Sequence, residues 1–571
     1  MTSTDRNRRV PHTPQWAIAL GFVLSVPGCG GGSGGEPGPT PVAPPPAELQ
    51  FRNATNDTGI RFVHGIAGGA TTMPELFGGG VAAGDYDGDG DIDLFIVRGD
   101  LGPNLLYRND GGNRFVDVAA AAGVAATNPA GGAYRHSGPI FADVDGDGDL
   151  DLFIGGIEGD PNVLYENRGD GTFEDVTSGS GLDAIAAAHT ISAAFGDYDL
   201  DGDLDLMLAH WGTARPEDVN GGRGDTESLW RNDSDAGGIR FASVSEAAGI
   251  APAVIAGVGG LVDFGSDSRD YDYSFTPTFA RIDADAYPDL LVVSDFGNSR
   301  VFMNSGGAGG GYVFSDVTDP TVIIDRNGMG SAVGDIDNDG DLDWFVTAIF
   351  GAGETVGNRL YINDGSGRLE DFTVNAGVAD GGWGWAACFA DFDLDGNLDI
   401  FHTNGWNNPN AIDDFENDRS RLFMSQGNGS FVEESLARGM TDTQQGRGVV
   451  CADFDQDGDI DVFMTNRGLE NSGAFWENRG ADNGYRSLTV SLSGAPPNTA
   501  AANARIYVTV AGITQMREVL IGNNFTSQNP TEQTFGLGSA SAADEVRIEW
   551  PDGATDTYSD VPAGRVTYAE P

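Results

Sequence analysis

GDYDGDGDIDLFI, Gly84 to Ile96, sets five aspartates on alternate residues from Asp85 to Asp93 and then turns abruptly apolar. The pattern returns as ADVDGDGDLDLFI from Ala142, GDYDLDGDLDLML from Gly196, GDIDNDGDLDWFV from Gly334, ADFDLDGNLDIFH from Ala390 and ADFDQDGDIDVFM from Ala452. Ca²⁺ takes six to eight hard oxygen ligands, and a tight loop can supply them from alternate residues. The spacing therefore predicts one Ca²⁺ per complete copy, about six in all.

Ligand positions are counted from the first aspartate of each copy. Position one is Asp85, Asp143, Asp197, Asp335, Asp391 or Asp453, and position three is Asp87, Asp145, Asp199, Asp337, Asp393 or Asp455. Position five is Asp89, Asp147, Asp201, Asp339, Asp395 or Asp457, and position nine is Asp93, Asp151, Asp205, Asp343, Asp399 or Asp461. These four positions offer carboxylates. Position seven, which is Asp91, Asp149, Asp203, Asp341, Asn397 or Asp459, offers a main-chain carbonyl. Glycine holds position six in every complete copy, where the loop needs a sharp positive-φ turn. An EF-hand would end in a bidentate Glu at position twelve and lead into a helix. Here position twelve is Ile96 or Ile154, inside the apolar runs LFIV and LFIG, which read as strands. The loop joins two β-strands, and an EF-hand is excluded.

A second signature follows each loop: NLLYRNDGGNRFVDVAAAAGV from Asn104, NVLYENRGDGTFEDVTSGSGL from Asn162, and looser copies such as RLYINDGSGRLEDFTVNAGV. Two short strands around a Gly/Asp turn make a hairpin, so each repeat carries four strands. Repeats begin at Asp85, Asp143, Asp197, Arg281, Asp335, Asp391 and Asp453. Seven four-stranded units of this period predict an all-β, seven-bladed β-propeller. The Arg281 copy, RIDADAYPD, has Arg at position one and Ala286 in place of the glycine. No Ca²⁺ is expected there, and Arg281 is instead expected to neutralise Asp283, Asp285 and Asp289. The last repeat lacks its fourth strand, and LQFRNATNDTGI, Leu49 to Ile60, has the right ending to supply it.

The acidic copies resemble the FG-GAP or VCBS repeats of integrin-α-type propellers. The tail NARIYVTVAG…GNNFTSQNPTEQTFGLG…VRIEWPDG resembles the ASPIC/UnbV domain, a small β-domain. Together they resemble bacterial relatives of the cartilage acidic protein family. That resemblance implies an extracytoplasmic, calcium-stabilised protein. The expected division is a signal peptide over 1–28, a Gly/Pro-rich tether over 29–48, a propeller over 49–480 and an ASPIC/UnbV-like domain over 481–571.

Acidic residues outnumber basic ones 86 to 31, for a net charge of −55. That excludes nucleic acid as a partner, because phosphate recognition needs a basic footprint. With 40% hydrophobic residues the chain is not a disordered polyanion. Arg6, Arg8 and Arg9 precede the apolar run Trp16 to Val26 and then Pro-Gly-Cys. This reads as a lipoprotein-type signal, with Cys29 as the lipidated residue. The expected location is extracytoplasmic, anchored to the bacterial envelope at the outer membrane through that lipid alone, or secreted if Cys29 is not lipidated. Cys388 and Cys451 sit at offsets differing by one residue before their Asp motifs, which points them to opposite strand faces as small buried hydrophobes.

The repeat topology puts acidic loops on one face and the second-to-third-strand connections on the other. His64, His136, His189, His210 and His402 all map to that other face or its rim, with Trp211, Trp383, Trp406 and Arg447. The longest insertions, Thr213 to Ser228, Ala251 to Phe275 and Asn404 to Ser420, open there too. This convergence marks a candidate ligand face, or a second, transition-metal site at the channel mouth. Glu75 and His64 are a candidate acid–base pair across one loop. No catalytic triad spacing, Walker loop or nucleotide fingerprint is present. The expected function is a binding scaffold for a glycan, surface protein or envelope component; the alternative is an enzyme on the histidine face.

Overall fold

The computed structural model describes residues 51–216, 226, 228–251, 271–307, 313–351, 356–407, 415–467, 472–480 and 484–571. The signal, Cys29 and the whole tether lie outside the described residues, as do Leu49 and Gln50 of the predicted closing segment and parts of the three long insertions. Among the described residues, no helix is long and apolar enough to cross a membrane.

Among the described residues, seven sheets built on four antiparallel strands follow one another along the chain. Blade one runs Gly80–Gly84, acidic loop, Asp93–Val97, Leu105–Asn109 and Phe115–Asp117. The inner strand of each sheet touches that of the next, and the last, Gln445–Ala452, touches the first, Gly80–Gly84. The ring is a β-propeller. Blades stack face on face, so both faces of their central strands are covered. That is why DLFIV and DLFIGG are apolar without alternation and buried throughout. In the last sheet Arg52–Asn53 is the fourth strand, pairing Arg52 with Glu477 and Asn53 with Trp476. The two ends of the ring are thus joined by main-chain hydrogen bonds.

A recurring asparagine ties every blade except the sixth to the one before it. The Asn109 main-chain N donates to Asp93 Oδ1 at 2.7 Å, and Asn109 Nδ2 donates to the Phe454 carbonyl of blade seven at 2.8 Å. Asn167, Asn232, Asn304, Asn363 and Asn478 repeat this bridge, to Tyr86, Val144, Tyr198, Ile282 and Phe392. Blade six has Ser425 at this place, which keeps the bond to Asp399 but is too short to bridge.

Cys388 and Cys451 form a disulfide, with Cα atoms 6.6 Å apart, which corrects the reading of two unpaired thiols. Side-chain alternation governs contacts within one sheet. These cysteines lie on inner strands of neighbouring blades, Gly384–Ala390 and Gln445–Ala452. The two strands belong to different sheets and touch across the ring, so the offset along one strand does not set which side chains meet.

The C-terminal domain is a sandwich of a three-stranded and a four-stranded sheet around Leu488, Ile506, Val508, Phe535, Ile548 and Trp550. Its segment Gly522–Pro530 enters the propeller. Ser527–Gln528 adds a parallel fifth strand to the inner edge of blade one, pairing with Val81 and Ala82. Asn524 Oδ1 accepts from Ala387 N, Thr526 N donates to Ser192 Oγ, and Asn529 Oδ1 accepts from Cys451 N. One loop therefore holds inner strands of blades one, three, six and seven. Phe525 at its tip packs against Phe275 and Trp385, at 5.4 and 5.2 Å between ring centres.

Candidate metal loops and ligand cleft

Each acidic loop is shaped by its own carboxylates. Asp85 accepts from Asp89 N and Gly90 N, and Asp89 Oδ1 from Asp91 N. The position-six glycines have φ between 93° and 101°, a left-handed conformation that a β-carbon would strain. The position-nine aspartate is the deepest. Asp93 is fully buried, with Oδ2 accepting from Tyr86 N and Oδ1 from Asn109 N.

Three carboxylates converge within 4.8 Å in Asp85–Asp87–Asp93, Asp143–Asp145–Asp151, Asp197–Asp199–Asp205, Asp335–Asp337–Asp339 and Asp391–Asp393–Asp399. Burial pushes the Asp93, Asp151, Asp343 and Asp391 carboxyls up to about 8. Such clusters stay ionised only with a compensating cation. Asp145 Oδ1, Asp199 Oδ1 and Asp453 Oδ1 are buried without a hydrogen-bond partner. Clustered carboxylates with unfilled oxygens fit a hard cation, and the loops can hold metal ions.

In the degenerate copy, Arg281 Nε donates to the Asp285 carbonyl at 3.3 Å, and its charge works against the burial that raises the Asp285 carboxyl. Its main chain is claimed by the C-terminal domain: Glu518 Oε1 accepts from Arg281 N, and Arg505 donates to the Arg281 carbonyl. Position one of this blade has become a docking point.

The sandwich caps the acidic-loop face at several other loops. Arg565 bonds Asp453 at 3.1 Å and also Glu532, and Thr499 Oγ1 donates to Asp143 Oδ2. Gly538 N donates to the Leu394 carbonyl at 2.9 Å, and Ser487 Oγ donates to the Gly458 carbonyl. Buried Arg517 lies within electrostatic reach of Asp335 and Asp391, its guanidinium 5.2 Å over the Phe535 ring. Between the cap and the loops of blades one and two the surfaces part, leaving a cleft of about 740 Å³.

The opposite face holds packing and hydrogen-bonded core groups. Phe77, on the short helix Met73–Phe77, packs against Trp211, Phe275, Trp385 and Trp406. Phe525 meets the same cluster from the cap side, so the expected channel mouth is filled by aromatic rings. Trp383 stacks on Trp406 at 5.4 Å. The Trp211 indole donates to Asp295 at 3.2 Å. Buried Arg447 lies 4.4 Å over Trp385 and donates to the carbonyls of Leu76, Gly405 and Gly446.

The histidines are dispersed among such supports. His136 contacts the Gly155 carbonyl and Thr127 Oγ1 through its two ring nitrogens. His189 Nδ1 accepts from Glu158 N, His210 Nδ1 meets the His189 carbonyl, and His402 Nε2 meets Asn358 Nδ2. The His64 ring lies against Gly79, where a β-carbon would fall 2.7 Å from Nε2. Burial, reinforced by Arg447, lowers the His64 imidazole to about 3. Glu75 is bonded to Thr71, Thr72 and Arg135. Burial raises its carboxyl, but hydrogen bonds from Thr71 and Thr72 and the Arg135 ion pair leave it below its usual value. The capping box on Thr72 fixes Glu75 as a helix N-terminal residue.

A family model described as FG-GAP-like repeat matches residues 85–154, 143–208, 281–346 and 348–402. One described as ASPIC and UnbV matches residues 494–570. The chain carries FG-GAP-like repeats in its β-propeller and an ASPIC/UnbV domain at its C-terminal end. Cartilage acidic protein 1 shares this similarity. The Homo sapiens protein is 33% identical over 154 residues, 25% of this chain and 22% of that protein. The Xenopus tropicalis protein is 27% identical over 303 residues, 52% and 41% of the two chains. The chain thus matches between about a fifth and two-fifths of these relatives' length. Among solved structures, an Agrocybe aegerita lectin recognising terminal N-acetylglucosamine has a TM-score of 0.38 at 17% identity, covering 62% of this chain and 79% of its own. The V. cholerae biofilm matrix protein Bap1 has 0.34 at 11%, covering 84% and 99%. Both likenesses are distant.

Proposed function

We propose that the protein is an extracytoplasmic, calcium-stabilised scaffold that binds a glycan, surface protein or envelope component and has no catalytic role for its histidines. The observation that carries this reading is the use of the groups an active site would need. The imidazoles of His136, His189 and His402 are engaged by neighbouring main-chain or side-chain groups. Glu75 is committed to Arg135 and a helix terminus. Calcium suits the acidic loops by ligand type and spacing, and its role here is structural: it lets several carboxylates share one turn. The V-P-G-C sequence ending at Cys29 supports a lipid anchor, with the Gly/Pro tether as spacer.

Elemental analysis of untagged protein, purified without chelator from about Glu36 onward, tests the reading. About six calcium ions per chain and no stoichiometric transition metal are expected. A stoichiometric copper, zinc, iron or manganese would overturn the scaffold reading in favour of the enzyme, and far fewer calcium ions would overturn the loop argument.

A further inference from the structure

We propose that the cleft between the cap and the acidic loops of blades one and two binds a neutral, hydroxyl-rich ligand of oligosaccharide size. The proposal rests on the scaffold reading and names the site and ligand class. At about 740 Å³ the cleft falls within the usual range for ligand pockets.

Its walls come from two domains and are fixed independently of any ligand. On the propeller side Asp85 and Asp147 border the cleft, their carboxylates already taken up by the loop N–H groups and the proposed calcium ions. On the cap side Ser491, Thr531 and Thr567 bring hydroxyls, and Pro496, with Leu150 of the propeller, brings apolar surface. Ser491 and Thr567 are paired across neighbouring parallel strands, so their side chains form one edge. The floor is held by Gln528, which donates to the Phe141 carbonyl and accepts from its N–H, both at 2.7 Å. Walls held this way lose little freedom on binding, which favours affinity.

The lining chemistry selects the ligand. Hydroxyl side chains both donate and accept, and apolar surface suits C–H faces. A sugar ring presents both complements. Arg565 lines the cleft, but its guanidinium is already shared by Asp453 and Glu532. A net charge of −55 further disfavours an anionic ligand.

The test uses the full chain in calcium, titrated calorimetrically with cellotetraose, maltotetraose and chitotetraose, and with tetragalacturonate as the anionic counterpart. At least one neutral probe should bind, and tetragalacturonate should bind about tenfold more weakly or not at all. Ser491→Trp and Thr567→Trp should each weaken binding about tenfold or more, while Thr557→Trp on an exposed strand of the cap should not. Thermal unfolding and calcium content check that each variant remains folded. Absence of binding by every neutral probe at about 10 mM overturns the proposal, as does binding that ignores both cleft substitutions or prefers tetragalacturonate. In those cases a full calcium complement without a transition metal leaves the scaffold reading standing. A stoichiometric transition metal would remove that reading on its own.

Discussion

A β-carbon added to Gly536 would fall 1.9 Å from Asp391 Oδ2 and 2.6 Å from the Leu394 carbonyl carbon. The cap therefore meets the acidic loop of blade six with no room for a side chain. Asp391 is a position-one ligand candidate, so the metal loop and the docked domain share one surface.

Gly536→Ala should push the cap off that loop. The overlap involves backbone, which cannot rotate away, and overpacking of this kind costs about 1–3 kcal/mol. The unfolding midpoint in calcium should fall, and protease should cut sooner between the propeller and the cap. An unchanged midpoint would mean that the cap does not seat on blade six.

Phe525→Ala should be costlier. Phe525 is fully buried among Phe275, Trp385 and their neighbours. Truncating such a side chain costs about 3–5 kcal/mol through lost transfer energy and the cavity left behind. Urea unfolding measures the loss, and a cost below about 1 kcal/mol would mean that the channel closes without the plug.

Asp145→Ala and Asp283→Ala remove the same position from an intact and a degenerate loop. Asp145→Ala should lower the calcium count by one. It should also remove about 2 kcal/mol of stability at about 2 mM calcium, for a site near about 10⁻⁴ M. Asp283→Ala should leave the count unchanged, because Arg281 and Ala286 already spoil that loop. Equal effects on the count would contradict the loop assignment.

Buried histidines give the fold an acid sensitivity. Burial lowers His64 to about 3, and His136 and His402 to about 4. Unfolded, each returns to about 6.5 and takes up a proton that the folded state refuses. Their contribution is thus present above about 6.5 and is lost as pH falls toward 3–4, by up to about 1.4 kcal/mol per pH unit per histidine. Urea midpoints in saturating calcium should drop between pH 7 and 5, and His136→Gln should make the drop shallower. Calcium must be in excess, because the raised carboxyls push the other way when they lack a cation.

The propeller and its loops were legible because they are local and repeated. A glycine at position six and aspartates on alternate residues shape one turn whatever surrounds it, and the apolar run that follows reports a strand buried on both sides. The bridging asparagines were visible too, as the N in YRND, YENR and ENRG. Their meaning was not, because the partner carbonyl belongs to the previous blade. The Cys388–Cys451 pairing escaped for the same reason.

The histidine face shows the limit from the other side. Topology brought His64, His136 and His402 to one end of the ring. Whether an imidazole faces a ligand or a carbonyl depends on what packs behind it, and Thr127, Gly155 and Asn358 decided that.

The sequence by itself determined the strand order, the repeat, the six acidic loops and the presence of a second β-domain, because each follows from short-range spacing and residue chemistry. Only the tertiary structure decided that GNNFTSQNP enters the propeller, that Phe525 and Phe77 fill its axis from opposite ends, and that the cap leaves one cleft beside blades one and two. Those outcomes depend on shape complementarity between segments hundreds of residues apart, which no local pattern encodes.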